Sequence, residues 1–306
     1  MKSFIEVKNV EKSYDQKKVL NNISMTINEP GVYLLAGPNG CGKTTLLESI
    51  IGLRQVDRGE ILVRGSSNHK HLHKHVGFLL QGTGLRKNLT VKDEMQLIKD
   101  LFQMKMDDQS YLKFFHLEQY YLTKTEKLSG GTKRRIMLAL LFMPNYEVLI
   151  LDEPASGLDT ESRSAIWNFI KTYSKQKVIF VSDHYLNEAA KYCDYIFLMN
   201  KGEIISQGTK EEVLRQMNKT HVLNIQSNAL PDLSRKLSLI DEKIVSLEFE
   251  GSTYVFLKLE ENQTLQHVWE ILGDTSAVVE FHAVDFEDVY FYLTGNLTIY
   301  NKGERL

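Results

Sequence analysis

The stretch Gly37–Thr45 reads GPNGCGKTT, and it constrains the fold of this chain more than any other stretch. It follows the apolar run 32–36 and precedes residues 46–51, which suit a helix. Glycines permit the backbone dihedrals that point successive N–H groups into one loop, where they can surround phosphate oxygens. The lysine, the hydroxyl and the helix N-terminus at the end of the loop attract the same anion. The stretch therefore predicts a strand, a phosphate-binding loop and a helix that hold a nucleoside triphosphate.

Individual residues of the loop have separate expected roles. The Lys43 ammonium is expected to contact the outer phosphates, and the Thr44 hydroxyl is expected to bind Mg²⁺. Cys41 precedes Lys43 closely and lies near a helix N-terminus, which favours its thiolate and predicts that alkylation blocks nucleotide binding. A small residue that only fills space is the alternative for Cys41. The predicted nucleotide contacts from this stretch are Gly37, Asn39, Gly40, Cys41, Gly42, Lys43, Thr44 and Thr45.

Composition limits the classes of function open to the chain. With 306 residues, of which 42% are apolar, one large or two modest domains can bury a core. The net charge of −2 disfavours a nucleic-acid partner. Two distant cysteines suit a reducing compartment. The longest apolar run falls far short of the ~20 residues that span a bilayer, and the polar start is unlike a signal peptide, so we expect a cytosolic chain that reaches a membrane through a partner.

A second helix start, in the sequence LSGGT at 128–132, is also suited to an anion. Ser129 is expected to cap the helix, and Gly130 and Gly131 leave backbone N–H groups exposed at its positive end. One chain can hardly bring both helix starts to a single phosphate and still pack. Either one of them is structural, or two chains share a site.

Acidic side chains follow the apolar strand 148–151, as expected of a central parallel strand. Asp152 is placed to reach the Mg²⁺ bound by Thr44, and Glu153 is placed to orient or deprotonate an attacking water. Gln81 and His184 follow two other predicted strands. Because open α/β sheets bind ligands at the carboxyl ends of their strands, we expect all four side chains at one edge.

Other segments complete the predicted architecture. Residues 4–27 predict an antiparallel strand group in which Tyr14 either stacks on a purine or packs half-buried. Four alternating histidines, at 69, 71, 73 and 75, favour a solvated loop over a metal site because lysines separate them and no acid is adjacent.

Residues 88–127 predict aromatic-rich helices. From 218 the order βαββαβ predicts a ferredoxin-like domain, followed by a last helix at 286–293 and lacking any ligand spacing in its sequence.

Taken together, residues 1 to about 217 resemble the ATP-binding subunit of ABC transporters. The resemblance rests on seven motifs in the family's order: an aromatic residue that stacks adenine, the Walker A loop, the Q-loop glutamine, the signature sequence, the Walker B strand, the D-loop and the H-loop histidine. In this chain they are Tyr14, Gly37–Thr45, Gln81, LSGGT at 128–132, VLILDE at 148–153, SGLD at 156–159 and His184.

The resemblance implies an assembly and a set of site residues. Two cassettes dimerise head to tail, so that Ser129, Gly130 and Gly131 of one close on the γ-phosphate held by Lys43 of the other. It implies ATP and Mg²⁺ as ligands. The implied catalytic residues are Glu153, His184 and Gln81, the implied metal ligands are Thr44, Gln81 and Asp152, and Tyr14 and Asp159 are implied to contact nucleotide. The signature of the family usually ends in Gln, whereas Thr132 stands here.

The fold class expected is therefore α/β, a P-loop NTPase of ABC type with a mixed sheet core, an antiparallel β subdomain and a helical subdomain at about 84–145. The expected domains are an ATPase domain at 1–217 and an accessory or regulatory α+β domain at 218–306. The ending VDFEDVYFYLTG is similar to that of ATPases paired with ABC-2 type exporters.

We expect an ATPase that powers export through a separate integral membrane permease, at the cytoplasmic face of the membrane. Its second ATP-binding subunit is expected to be an identical copy, with a different chain as the alternative. Two other functions are open: a soluble ABC-type ATPase acting on nucleic acid or ribosomes, and a regulatory nucleotide-binding module without turnover. The absence of a second cassette and of a basic surface disfavours the former, and the retained Glu153 and His184 disfavour the latter.

Overall fold

A computed structural model describes residues 3–67, 72, 74–79, 84–260, 263, 265–273 and 277–295. It separates into two compact units: Met1–His184 with Glu188–Ile204, and Tyr185–Asn187 with Ile205–Leu306. Gln81 and the histidines at 69, 71 and 73 lie outside the described residues. Within the described ranges, no helix combines the length and the apolar character needed to cross a bilayer.

Five strands, β5, β6, β7, β3 and β8, form the centre of the first unit. They belong to a six-stranded sheet of order β5-β6-β7-β3-β8-β9, whose last strand begins at the end of this unit. Strands β5, β6, β7, β3 and β8 are parallel to one another. Every residue of β3, β6 and β7 is buried, as expected for parallel strands covered on both faces. The strands are β3 Gly31–Ala36, β5 Val76–Leu79, β6 Val148–Asp152, β7 Val178–Asp183, β8 Tyr195–Asn200 and β9 Glu203–Gly208.

An antiparallel three-stranded sheet contains the first strands of the chain, β1 Ile5–Tyr14 and β2 Lys17–Ile27, together with β4 Arg58–Val63, in the order β2-β1-β4. Its buried side chains, such as Ile5, Leu20 and Ile27, belong to the same apolar cluster as residues of β3, β6 and β7. The predicted antiparallel β subdomain is confirmed.

Helices α1–α5 complete this unit, and the predicted cap at Ser129 is confirmed. Thr90 and Asp93 form a capping box at α2, while Ser129 and Asp159 cap α4 and α5. Aromatic rings of α4 and α5 pack closely, with Phe142 and Phe169 centroids 4.7 Å apart. The helices are α1 Lys43–Ile50, α2 Val91–Phe102, α3 Asp108–Phe114, α4 Gly130–Phe142 and α5 Thr160–Tyr173; α6 Leu186–Ala189 follows them.

The second unit contains the predicted βαββαβ order. Its four strands form an antiparallel sheet in the order β11-β12-β10-β13, which is the ferredoxin-like arrangement predicted from the sequence. Helices α8 and α9 contribute Leu233, Leu237, Val268 and Leu272 to the core on one face. The elements are α7 Lys210–Arg215, β10 His221–Gln226, α8 Leu230–Ile240, β11 Val245–Phe249, β12 Ser252–Leu257, α9 Leu265–Leu272, β13 Val278–Ala283 and α10 Phe286–Thr294.

The last helix, α10, contacts the same four-stranded sheet through an aromatic side chain. Phe291 is fully buried, and its ring lies 5.1 Å from that of Tyr254 and 6.0 Å from that of Phe256. Aromatic contacts of this kind add to the free energy gained by burial. The ending of the chain that resembled exporter ATPases therefore contributes α10 to the core of the second unit.

Candidate active site

The register of the parallel sheet aligns three strand ends at one edge. Ala36, the last residue of β3, pairs with Asp183 of β7, and Ser182 pairs with Asp152 of β6. The phosphate-loop sequence begins one residue after Ala36. The predicted edge therefore contains the loop, Asp152 and the end of β7, while Gln81 lies outside the described residues.

The loop itself leaves no room for side chains at two of its glycines. A Cβ on Gly37 would lie 2.2 Å from the carbonyl oxygen of Met199, and one on Gly42 would lie 2.7 Å from that of Val19. Gly42 also has φ 112°, which disfavours any other residue type. Neighbouring strands thus fix the path of the loop, while Asn39 and Gly40 at its tip are exposed.

Lys43 is buried at the first position of α1, and its ammonium is turned back onto the loop. Its Nζ donates hydrogen bonds to the carbonyl oxygens of Gly37 and Pro38, at 2.7 and 3.2 Å. Only 6% of the residue is exposed. A cation beside the loop and a helix N-terminus gives this site the electrostatics of an anion-binding pocket.

A chain of hydrogen bonds connects the loop to β6 and β7. Thr44 Oγ1 donates to Asp152 Oδ2 at 2.9 Å, and Ser182 Oγ donates to Asp152 Oδ1. Asp152 and Ser182 are fully buried. The hydroxyl and carboxylate predicted to share a metal ion therefore lie side by side, and Ser182 orients the carboxylate. Thr45 is half-buried beside them on α1.

Glu153 and His184 form an acid–imidazole pair at the same edge. His184 Nδ1 lies 3.5 Å from Glu153 Oε1, and only 15% of the Glu153 side chain is exposed. The hydrogen bond with Glu153 raises the pKa of His184 above its ordinary value, despite burial. Glu153 has φ 47°, a conformation that is costly for a residue other than glycine. Such backbone strain is common at active sites.

Arg134 of α4 fixes this strained segment, and the sequence analysis missed it. Its guanidinium donates to the carbonyl oxygens of Asp152, Glu153 and Pro154, at 2.8–2.9 Å. Burial lowers the pKa of Arg134, but an arginine remains charged at neutral pH. The signal that could have found it is an arginine one helical turn after Gly130, on a helix that returns to the sheet.

We expect Arg134→Met to lower the free energy of unfolding by about 1–3 kcal/mol, because buried carbonyls lose their donor. ATP turnover should fall as well, since the backbone of Glu153 is no longer held. Thermal unfolding and phosphate release would measure the two effects. The control is Lys133→Met, at the adjacent position, which has none of these bonds; equal losses in both variants would contradict the role given to Arg134.

The N-terminus of α4 is open to the outside of the chain. Ser129 and Gly130 are exposed, and Ser129 Oγ accepts a hydrogen bond from the N–H of Thr132 at 3.2 Å. The Thr132 hydroxyl also lies 2.9 Å from Ser129 Oγ. A Cβ on Gly131 would lie 3.1 Å from Leu158 Cδ2, whereas a Cβ on Gly130 would have no described neighbour within 4 Å.

The expected reactivity of Cys41 is wrong. Burial raises the pKa of its thiol, and the nearby Lys43 charge offsets this only in part. The side chain is 4% exposed and belongs to the apolar core cluster. Cys41 therefore acts as the small, space-filling residue that was the alternative prediction.

Two further predicted contact residues have structural partners of their own. Tyr14 ends β1 with 38% of its surface exposed, and the cationic groups of Lys12 and Arg54 lie 5.6 and 5.5 Å from its ring centroid. Asp159 caps α5: its carboxylate accepts hydrogen bonds from the Ser162 N–H and hydroxyl, and the bond from the N–H lowers the pKa of Asp159. Their contacts with nucleotide remain predictions.

Comparison with known proteins identifies the class of protein that has this kind of site. The sequence profile of the ABC transporter family matches residues 20–156. The Nod factor export ATP-binding protein I of Burkholderia lata is 30% identical over 300 residues, which cover 95% of this chain and 97% of the relative. The protein of the same name from Rhizobium meliloti is 30% identical over 302 residues, covering 95% and 88%.

Solved structures agree with these relatives. The structure of an ATP-binding subunit of an ABC transporter has a TM-score of 0.64 and 25% sequence identity, and the match covers 70% of this chain and 93% of that one. The chain belongs to the ATP-binding subunits of ABC transporters.

The predicted family, fold class and ATPase activity are thereby confirmed. The chain binds and hydrolyses ATP, and it powers export through a separate membrane permease.

Proposed function

We propose that two copies of this chain pair head to tail and enclose each ATP between the Lys43 loop of one copy and the α4 N-terminus of the other. The observation that supports this most is Gly130. Glycine is less favourable than alanine in a helix, by up to about 1 kcal/mol in the interior, and no described neighbour within 4 Å of the missing Cβ of Gly130 requires it. A close approach by a molecule outside the chain accounts for it.

We propose that Mg²⁺ accompanies the ATP and is held by Thr44, Asp152 and Gln81. The described part of this set suits the ion, because Mg²⁺ prefers hard oxygen ligands and the Thr44 and Asp152 oxygens lie 2.9 Å apart. When bound, the ion would neutralise charge on the β- and γ-phosphates. Gln81 is assigned on the family resemblance.

The remaining site residues act on the phosphates and the attacking water. Lys43 exchanges its bonds to the Gly37 and Pro38 carbonyls for bonds to phosphate oxygens. Glu153 accepts a proton from the water or orients it, and His184 holds the Glu153 carboxylate. Tyr14 stacks on the adenine, and Asp159 lies at the nucleotide of the partner copy.

We propose that export is coupled through the aromatic-rich helices at 84–145, on the cytoplasmic face of the membrane. This segment exposes large apolar side chains that a permease could cover: Leu97, Leu101, Phe114 and Leu122. The curated relatives are named for Nod factor export. We propose an exported cargo for this chain too, selected by the permease rather than by the ATPase.

We also propose the division into an ATPase domain at 1–217 and an accessory domain at 218–306. It is supported by the complete ferredoxin-like sheet, which lies within 221–283.

Gly130→Ala tests the paired arrangement because stability and activity should change in opposite directions. We expect the free energy of unfolding to rise by up to about 0.4–1 kcal/mol, as for other unstrained Gly→Ala changes. ATP turnover should fall at least about tenfold, since the methyl group meets the phosphates held by the partner copy. Chemical denaturation and phosphate release would measure these effects.

The control is Gln109→Ala, in the exposed first turn of α3, which should leave turnover unchanged. A second measurement addresses pairing directly. In a Glu153→Gln background, ATP should shift the chain to a dimer on size exclusion, and Gly130→Ala should abolish that shift. Full turnover and unimpaired dimerisation in Gly130→Ala would contradict the proposal.

A further inference from the structure

A cluster of metal-ligating side chains lies in the second unit, where β13 leads into α10. His282 comes from the end of β13, Asp285 caps α10, and Asp288 lies in the first turn of that helix. One ligand atom from each of these three residues lies within 4.8 Å of the others. The sequence analysis found no ligand spacing here, because these residues become neighbours only when the strand and the helix meet.

The imidazole of His282 is oriented as in a metal site. Its Nε2 lies 2.9 Å from Asp288 Oδ2, and its Nδ1 lies 3.4 Å from Glu280 Oε1. The contact with Asp288 is a hydrogen bond that a bound ion would replace. Tetrahedral ligands about 2.1 Å from one ion lie about 3.4 Å apart, so a small separation of the two side chains would admit it. A carboxylate on the far nitrogen is the usual partner that fixes the ring of a metal-binding histidine.

Helix capping accounts for two of the four carboxylate oxygens in the cluster, and Asn187 accounts for a third. Asp288 Oδ2 accepts from the Asp285 N–H, Asp285 Oδ1 accepts from the Asp288 N–H, and Asp285 Oδ2 accepts from Asn187. Asp288 is fully buried, yet its Oδ1 has no hydrogen-bond partner among the described residues. An uncompensated buried carboxylate oxygen is costly.

We propose that His282, Asp285 and Asp288 bind a divalent transition-metal ion, with Glu280 orienting the histidine. One imidazole nitrogen and two carboxylates suit Zn²⁺ or Mn²⁺, and three protein ligands leave a position for water. The ion supplies the missing partner of Asp288 Oδ1. By joining β13 to the first turn of α10, it ties α10 to the sheet that Phe291 contacts.

The test is titration of the full, nucleotide-free chain with Zn²⁺ alone, followed by calorimetry and thermal unfolding. We expect one Zn²⁺ per chain at this site and a higher melting temperature when it is bound. His282→Gln should weaken binding at least about tenfold, and Glu280→Gln should weaken it by about tenfold through loss of orientation.

Asp285→Asn separates metal binding from folding. Asparagine caps helices as well as aspartate does but cannot also accept the hydrogen bond from Asn187, so the melting temperature without metal should fall only slightly, whereas Zn²⁺ affinity should fall. Two controls should keep the site: His221→Gln, in the neighbouring strand β10, and a variant with glutamine at 69, 71 and 73, which removes three of the four alternating histidines.

No saturable Zn²⁺ binding would overturn the proposal. So would affinity that survives His282→Gln and Asp285→Asn, or that is lost in either control variant. If His282→Gln fails to fold, Asp285→Asn alone decides between these outcomes.

Discussion

Replacing Glu153 with glutamine is expected to lower ATP turnover by about 10²–10⁴-fold while ATP still binds. Glutamine keeps the volume of the side chain but cannot accept a proton from water. Binding should survive because the loop residues and Thr44 are untouched, and because Arg134 bonds to the backbone at this position rather than to the side chain. Steady-state phosphate release and equilibrium binding of labelled ATP would measure the two quantities separately.

Glu161→Gln is the matched control, since it makes the same change at an exposed position in the first turn of α5. It should leave turnover unchanged. Undiminished phosphate release by Glu153→Gln would exclude this carboxylate as the general base and would favour another group at the strand edge. Loss of ATP binding would instead show that Glu153 supports the pocket itself.

Replacing Lys43 with alanine is expected to weaken ATP binding about tenfold to a hundredfold. Hydrogen bonds from a charged donor contribute about 1.5–3 kcal/mol, and each 1.4 kcal/mol is a factor of ten in affinity. The buried ammonium is already positioned by the carbonyl oxygens of Gly37 and Pro38, so little ordering is required when phosphate replaces them. Isothermal titration with MgATP would measure the change.

Lys92→Ala provides the comparison, because Lys92 is an exposed lysine in the first turn of α2. It controls for the loss of one positive charge from the chain and should bind ATP normally. Equal affinities for Lys43→Ala and the unsubstituted chain would show that the loop N–H groups alone hold the phosphates. A lower melting temperature without nucleotide would identify a structural contribution of the lysine.

Much of this fold was predictable because its signals are local. Apolar runs such as 148–151 become buried strands, and Ser129 and Asp159 cap the helices that follow them. Parallel register then brings strand ends together, which is why Asp152 and His184 could be assigned to one edge from the sequence.

Features that depend on contacts between distant segments were not predictable. Arg134 lies in the basic run 133–135, which is typical of a solvated helix face, and only the packing of α4 against β6 turns it toward the strand end. Cys41 was misjudged because its proximity to Lys43 is visible in the sequence but its burial is not. The cluster at His282 requires a strand and a helix to meet at a particular angle.

The bonds made by Arg134 place two tasks on one helix. In the paired arrangement proposed here, the first residues of α4 contact the nucleotide of the neighbouring copy. Arg134, one turn later, donates a hydrogen bond to the Glu153 carbonyl of its own chain. Because the helix is rigid, a tilt of its first turn also moves the Arg134 guanidinium and the Glu153 carbonyl that it contacts. Nucleotide bound in one pocket would therefore displace the Glu153 carboxylate in the other pocket, and the two copies would hydrolyse ATP together.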